Sequence, residues 1–158
     1  MAIFFPSGYS AMSMSGMQLR DLCLGLSGPM KEFIQRLGAD TIVVRGNSGT
    51  SVAYAMHALI PDMFQFVVAR KRAEHSNSHG QLIEPLCGPR NKVAVRRYVV
   101  LDDFVDSGDT VKGITDDMED YDVPRDCMAG LILYRGHGGD WYECDRTYAF
   151  GFFKCLMR

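Results

Sequence analysis

Apolar and polar residues fall along this chain in short blocks whose period switches between that of a strand and that of a helix. Met30, Phe33, Ile34 and Leu37 are spaced i, i+3, i+4, i+7, which predicts a helix over 29–37 with Pro29 in its first turn and Gly38 at its end. Thr41-Ile42-Val43-Val44 is a β-branched run of the kind buried in a parallel sheet. Arg45 to Gly49 reads as a glycine loop, and Val52, Ala53, Met56, His57 and Ile60 as a helix closed by Pro61. The same order recurs downstream: an apolar strand over 93–101, the loop DDFVDSGDT, then Val111, Ile114, Thr115 and Met118 at helical spacing. Further strands are predicted over 64–69, 128–134 and 148–153, with a loop at 135–139. Residues 70–80, RKRAEHSNSHG, are polar without period and predict a mobile loop, whereas the first sixteen residues, rich in Ser, Gly and Met, predict little.

Strands alternating with helices predict an α/β fold, a parallel sheet flanked by helices on both faces, with ligands at the carboxyl ends of its strands. Both glycine loops fall at such ends. A length of 158 residues fits one domain spanning 1–158, and 47% hydrophobic residues suffice for a core. The formal charge of −2 provides no broad basic field, so no nucleic-acid partner is expected and any polyanion site must be local. Five scattered cysteines without metal-ligand spacing predict free thiols. No basic leader and no apolar run of about 18 residues is seen, so no membrane partner is expected and a cytoplasmic setting follows.

The chemistry is concentrated in Tyr98-Val99-Val100-Leu101-Asp102-Asp103-Phe104-Val105-Asp106-Ser107-Gly108-Asp109-Thr110. Two adjacent acids at the end of a buried strand are costly unless a cation or a polyol offsets them. The small residues that follow can aim backbone N–H groups and a helix dipole at a phosphate. Acids beside a phosphate cradle suggest a sugar phosphate with Mg²⁺. A haloacid-dehalogenase type of phosphatase would need its second acid two positions after the first, where Phe104 stands.

This segment resembles the 5-phosphoribosyl-1-pyrophosphate (PRPP) motif of the type I phosphoribosyltransferases. The resemblance implies that Asp102 and Asp103 hold the ribose hydroxyls and help bind Mg²⁺, and that Asp106, Ser107, Gly108, Asp109 and Thr110 wrap the 5′-phosphate. Asp109 departs from the pattern by putting a carboxylate in the phosphate loop, which requires its side chain to turn away while its N–H turns in. IVVRGNSGTSVA is similar to the family's pyrophosphate loop, which implies that role for Arg45, Gly46, Asn47, Ser48 and Gly49. Arg70-Lys71 resembles the root of the loop that closes over PRPP, with Lys71 serving the departing pyrophosphate. The orotate enzymes carry an RK..K.HG pattern there, from which this chain departs by lacking the second Lys.

The VDSG segment resembles the VDTG setting of the hypoxanthine, guanine and xanthine enzymes, which makes Asp106 the implied general acid or base near purine N7. Those bacterial enzymes read the 6-oxo group with a Lys at a strand end and line the purine with a WxE segment. Arg135, Trp141 and Tyr142 resemble that arrangement at a shorter interval. The implied fold is the parallel core with a small hood from the chain ends. The implied activity is Mg²⁺-dependent transfer of phosphoribose from PRPP to a nucleobase, with a 6-oxopurine as first choice and orotate or another pyrimidine second. A non-catalytic module that binds PRPP or a nucleotide is the alternative from another class. Dimers are usual in the family, so a homodimer is a further expectation.

Overall fold

The computed structural model describes residues 14–71, 83–87, 94–103, 105, 107–134, 140–143 and 154–155. Its first helix, α1 (Gly16–Leu37), begins well before the predicted start, so Pro29 lies in the helix interior instead of its first turn. The start is set by a capping box: Gln18 N–H donates to Ser15 Oγ at 3.2 Å and Ser15 N–H to Gln18 Oε1 at 2.8 Å. Pro29 removes one backbone bond and costs roughly 3 kcal/mol in a helix interior. A continuous apolar stripe offsets it, because Cys23, Leu26, Met30, Phe33 and Ile34 are all buried, each contributing about 1.5–3 kcal/mol for a large side chain.

Thr41–Val44 forms β1, Gly46–Leu59 forms α2 and Phe66–Ala69 forms β2. Residues 46–49, read from sequence as a loop, are instead the first turn of α2. Ile83–Cys87 is β3 and Tyr98–Asp102 is β4, shorter at its start than the predicted strand over 93–101. Asp109–Glu119 is α3, followed by a single 3-10 turn at Arg125–Cys127 and by β5 (Met128–Leu133). Asp140–Glu143 is β6 and Lys154–Cys155 is β7, while the strand predicted over 148–153 lies outside the described residues. Among the described residues Cys23 and Cys127 are free thiols, and no helix is long and apolar enough to cross a membrane.

The seven strands among the described residues form one sheet in the order β3-β2-β1-β4-β5-β6-β7. Its centre, β2-β1-β4-β5, is parallel as predicted. The edges depart from that expectation: β3, β6 and β7 pair antiparallel, and the six residues between β5 and β6 and the ten between β6 and β7 are fewer than the dozen or so that a parallel crossover needs. Alternate residues of the central strands serve two cores. Ile42, Val44, Val99, Leu101 and Ile132 pack with α1 and α2, whereas Val43, Val67, Val100 and Leu131 pack with α3. The chain moves outward from β1 in one direction and from β4 in the other, so these adjacent strands flank the topological switch point where ligands bind in open α/β sheets.

Close seating of α2 against this point depends on Gly49, where a Cβ would lie 2.7 Å from the Leu101 carbonyl oxygen and 3.0 Å from Val44 Cβ. Both neighbours belong to fixed strands. Gly49→Ala is expected to lower folding stability by about 1–3 kcal/mol through overpacking, read as a lower urea midpoint at unchanged m-value. A midpoint equal to that of the parent chain would show that α2 can back away without loss.

Candidate active site

A cavity of about 430 Å³ opens at the β1/β4 switch point. Arg45, Gly46, Asn47 and Ser48 line one side, and Asp102, Asp103 and Val105 line the floor. Residues 107–111 close the opposite side, and Lys71 enters from beyond the end of β2. The structure thus brings together the two glycine segments and the Lys that the sequence reading had placed in one site.

Two helices start at this cavity. α2 follows Arg45, whose side chain makes no capping hydrogen bond, and α3 follows Gly108, which has φ +84° and no side chain to offer. The first N–H groups of a helix have no partner within it, so each start presents donors and the positive end of a dipole to an anion. In α3, Asp109 N–H reaches Ser107 Oγ at 3.3 Å, and Ser107 Oγ donates to Asp109 Oδ2 at 2.8 Å. The Asp109 carboxylate is therefore tied back to the hydroxyl of its own turn.

Between the helix starts lie the two acids. Asp102 ends β4 and is 7% exposed, Asp103 is 3% exposed, and Asp103 N–H donates to Asp102 Oδ1 at 2.9 Å. Burial pushes the Asp102 carboxyl up to about 7, and the Asp103 carboxyl adds to the rise; the hydrogen bond from Asp103 N–H and the charge of Lys71 oppose it. Near neutral pH the Asp102 carboxyl therefore exchanges between its protonated and ionised forms, and a cation bound beside it would favour the ionised form. Among the described residues no group of three or more His, Cys, Asp and Glu side chains is arranged to hold a metal ion. A cation held by this pair would complete its shell from a ligand and water, a habit of Mg²⁺.

Arg45 is placed differently from its expected neighbours. Its guanidinium is 8% exposed, donates through Nε to the Ala69 carbonyl at 3.0 Å and through Nη2 to the Arg70 carbonyl at 2.9 Å, and forms an ion pair with buried Asp117 of α3. Asp117 was missed in the sequence, although its place three residues after Ile114, on the inward face of α3, is a readable signal.

Tyr134 was also missed. It is fully buried just past β5, its hydroxyl donates to the Ser48 carbonyl at 2.7 Å, and its N–H donates to the Asp102 carbonyl at 3.1 Å. Burial first, then the Asp103 and Asp102 carboxyls, hold its phenol well above the usual range, so it stays a donor. Its link to Ser48 spans 86 positions in sequence and had no local signal. Tyr134→Phe leaves the Ser48 carbonyl without this donor and is expected to cost about 1–2 kcal/mol of stability. Calorimetry should also show weaker pyrophosphate binding, and unchanged values of both quantities would remove Tyr134 from the site.

Asp106 and Arg135 lie outside the described residues. Trp141 and Tyr142 lie on β6, paired in register with Ile132 and Leu131 of β5.

No sequence-family profile and no curated protein sequence matches the chain. Among solved structures, orotate phosphoribosyltransferase of Francisella tularensis is similar over 75% of this chain, with a TM-score of 0.54 and 12% identity. The chain spans about half of that enzyme, 52% of its length. Orotate phosphoribosyltransferase of Mycobacterium tuberculosis H37Rv in complex with PRPP matches with a TM-score of 0.45 and 16% identity over 80% of each chain. A purine phosphoribosyltransferase of Pyrococcus horikoshii matches with a TM-score of 0.42 and 12% identity, over 78% of this chain and 79% of its own. The likeness to the Francisella enzyme establishes a shared fold.

Proposed function

We propose that this chain, which has the type I phosphoribosyltransferase fold, transfers a phosphoribosyl group from PRPP to a nucleobase nitrogen and releases pyrophosphate. The observation that supports it best is the meeting of two helix starts, whose N-cap residues Arg45 and Gly108 lend no side-chain bond, and a buried acid pair in one cavity. PRPP is a diol-bearing pentose with a phosphate at one end and a diphosphate at the other. The turn at Ser107, Gly108, Asp109 and Thr110 would take the 5′-phosphate, and the N–H groups of 46–49 with Lys71 would take the diphosphate. Asp102 and Asp103 would accept from the ribose hydroxyls and hold Mg²⁺, which when bound neutralises diphosphate charge.

In the transfer the bond from C1′ to the diphosphate oxygen breaks, a bond from C1′ to the base nitrogen forms, and the base loses a proton. The chain's contribution is chiefly to hold the donor and to stabilise charge on the departing oxygen. Asp106 is the group proposed to move the base proton, and on that residue a 6-oxopurine is the proposed acceptor. Arg135, Trp141 and Tyr142 are proposed to contact the base.

The test is pyrophosphate release from PRPP and Mg²⁺ with hypoxanthine, guanine, xanthine, adenine and orotate in turn, beside a thermal-shift series. PRPP at about 100 times its Kd should raise Tm by roughly 5–10 °C, and a 6-oxopurine should trigger release. Release with orotate alone would move the acceptor to the pyrimidines. Stabilisation by PRPP without release under any base would replace transfer by binding alone, and no stabilisation would overturn the reading.

A further inference from the structure

Arg45 stands one residue beyond β1, and the carbonyls it binds belong to Ala69, the last residue of the parallel neighbour β2, and to Arg70. The next residue is Lys71, which lines the cavity. The far side of the guanidinium lies on α3, where it pairs with Asp117 and where a Cβ at Gly113 would be 2.3 Å from Nη1. Gly113 therefore leaves the space that the guanidinium fills. One planar fork thus spans the exit of β1, the exit of β2 and the helix that begins at the opposite side of the cavity. Pairing with Asp117 also offsets its charge, so this Arg adds little net positive field for a bound anion.

We propose that Arg45 is a positioning residue that sets the place of Lys71 relative to the first turn of α2, and is not itself a ligand of the diphosphate. The inference rests on the proposed function for the identity of the anion, but the placement of Lys71 can be read without it. A Lys at position 45 keeps the charge yet lacks the fork that reaches two carbonyls and a carboxylate together. As a direct ligand of an anion, by contrast, Lys can serve in place of Arg as a point charge.

The experiment compares Arg45→Lys, Lys71→Ala and the double variant with the parent full chain, with inorganic pyrophosphate as the calorimetric probe. If Arg45 acts through Lys71, Arg45→Lys should weaken pyrophosphate binding about tenfold in the parent and by less than about twofold when Lys71 is already Ala. Equal losses in both backgrounds, or no loss in the parent, would overturn the proposal. Asp117→Asn, which conserves volume, provides a second and ligand-free reading. At temperatures well below unfolding, both Arg45→Lys and Asp117→Asn should speed tryptic cleavage after Arg70 and Lys71 at least about fivefold, with little change at Lys112. Unchanged cleavage at the first two bonds would overturn the tie to Lys71. If the parent chain fails to bind pyrophosphate or PRPP, the proposed function falls, and the cleavage rates alone decide the placement of Lys71.

Discussion

Asp117→Ala is expected to reduce folding stability by about 3–5 kcal/mol, because it leaves a buried guanidinium without its counter-charge. Asp117 is 2% exposed and Arg45 8%, so water cannot readily solvate what the substitution strands. The two carbonyls of Ala69 and Arg70 still accept from Arg45, but neutral acceptors do not offset a full charge. Urea unfolding at pH 7 measures the loss. Arg45→Met combined with Asp117→Leu should recover most of it, since an apolar pair of similar volume carries no desolvation cost. That double variant would still lack the fork that fixes Arg70, so recovered stability should come without recovered pyrophosphate binding. A loss under about 1 kcal/mol for Asp117→Ala would mean that the pair is solvated enough to behave as a surface salt bridge.

Asp102→Asn should separate stability from function in opposite directions. Its carboxyl is pushed up to about 7 in the folded chain from an ordinary value of 3.8. Between those values the folded state binds more protons than the unfolded state, so this group's contribution to stability is full below about pH 4 and is lost as pH rises through about 7. An Asn keeps an acceptor for Asp103 N–H and never ionises. The variant should match the parent near pH 4 and exceed it by about 1–3 kcal/mol at pH 8, read from paired urea curves. On the proposed function, PRPP binding should move the other way, falling at least about 100-fold at pH 8 with loss of the charge-assisted acceptor and cation ligand proposed for Asp102. In the parent chain PRPP affinity should climb by up to about tenfold per pH unit from pH 5 and level off above about 7. A variant no more stable than the parent at pH 8 would show that the carboxyl is not held in a desolvated state. Undiminished PRPP binding would remove it from the ribose.

Much of this arrangement is written locally. The apolar run Tyr98–Asp102 ending in two acids, and Thr41–Val44 followed by small residues, carry strand, turn and helix start within about a dozen positions each. Period, glycine and charge are short-range properties, so they predicted the parallel centre of the sheet, the start of α3 and the acid pair at its carboxyl end, while the start of α2 was read a turn too late. Even the early start of α1 was legible, since Ser15 and Gln18 stand at capping-box spacing, but Pro29 drew the boundary away from it.

What the sequence could not determine were the relations between distant segments. The antiparallel edge strands depend on which partner a short segment meets, and a run such as Ile83–Cys87 carries no code for its neighbour. Arg45 had the composition of an anion ligand, and only the approach of α3 turned its guanidinium to Asp117 and to the β2 carbonyls. Tyr134 became part of the site because parallel pairing of β4 and β5 sets Leu133 beside Asp102 and brings the next residue under Ser48. A side chain's reach is a few ångströms, so local sequence chose the chemical groups at this cavity, while packing of the strands and helices decided which face the ligand and which hold the frame.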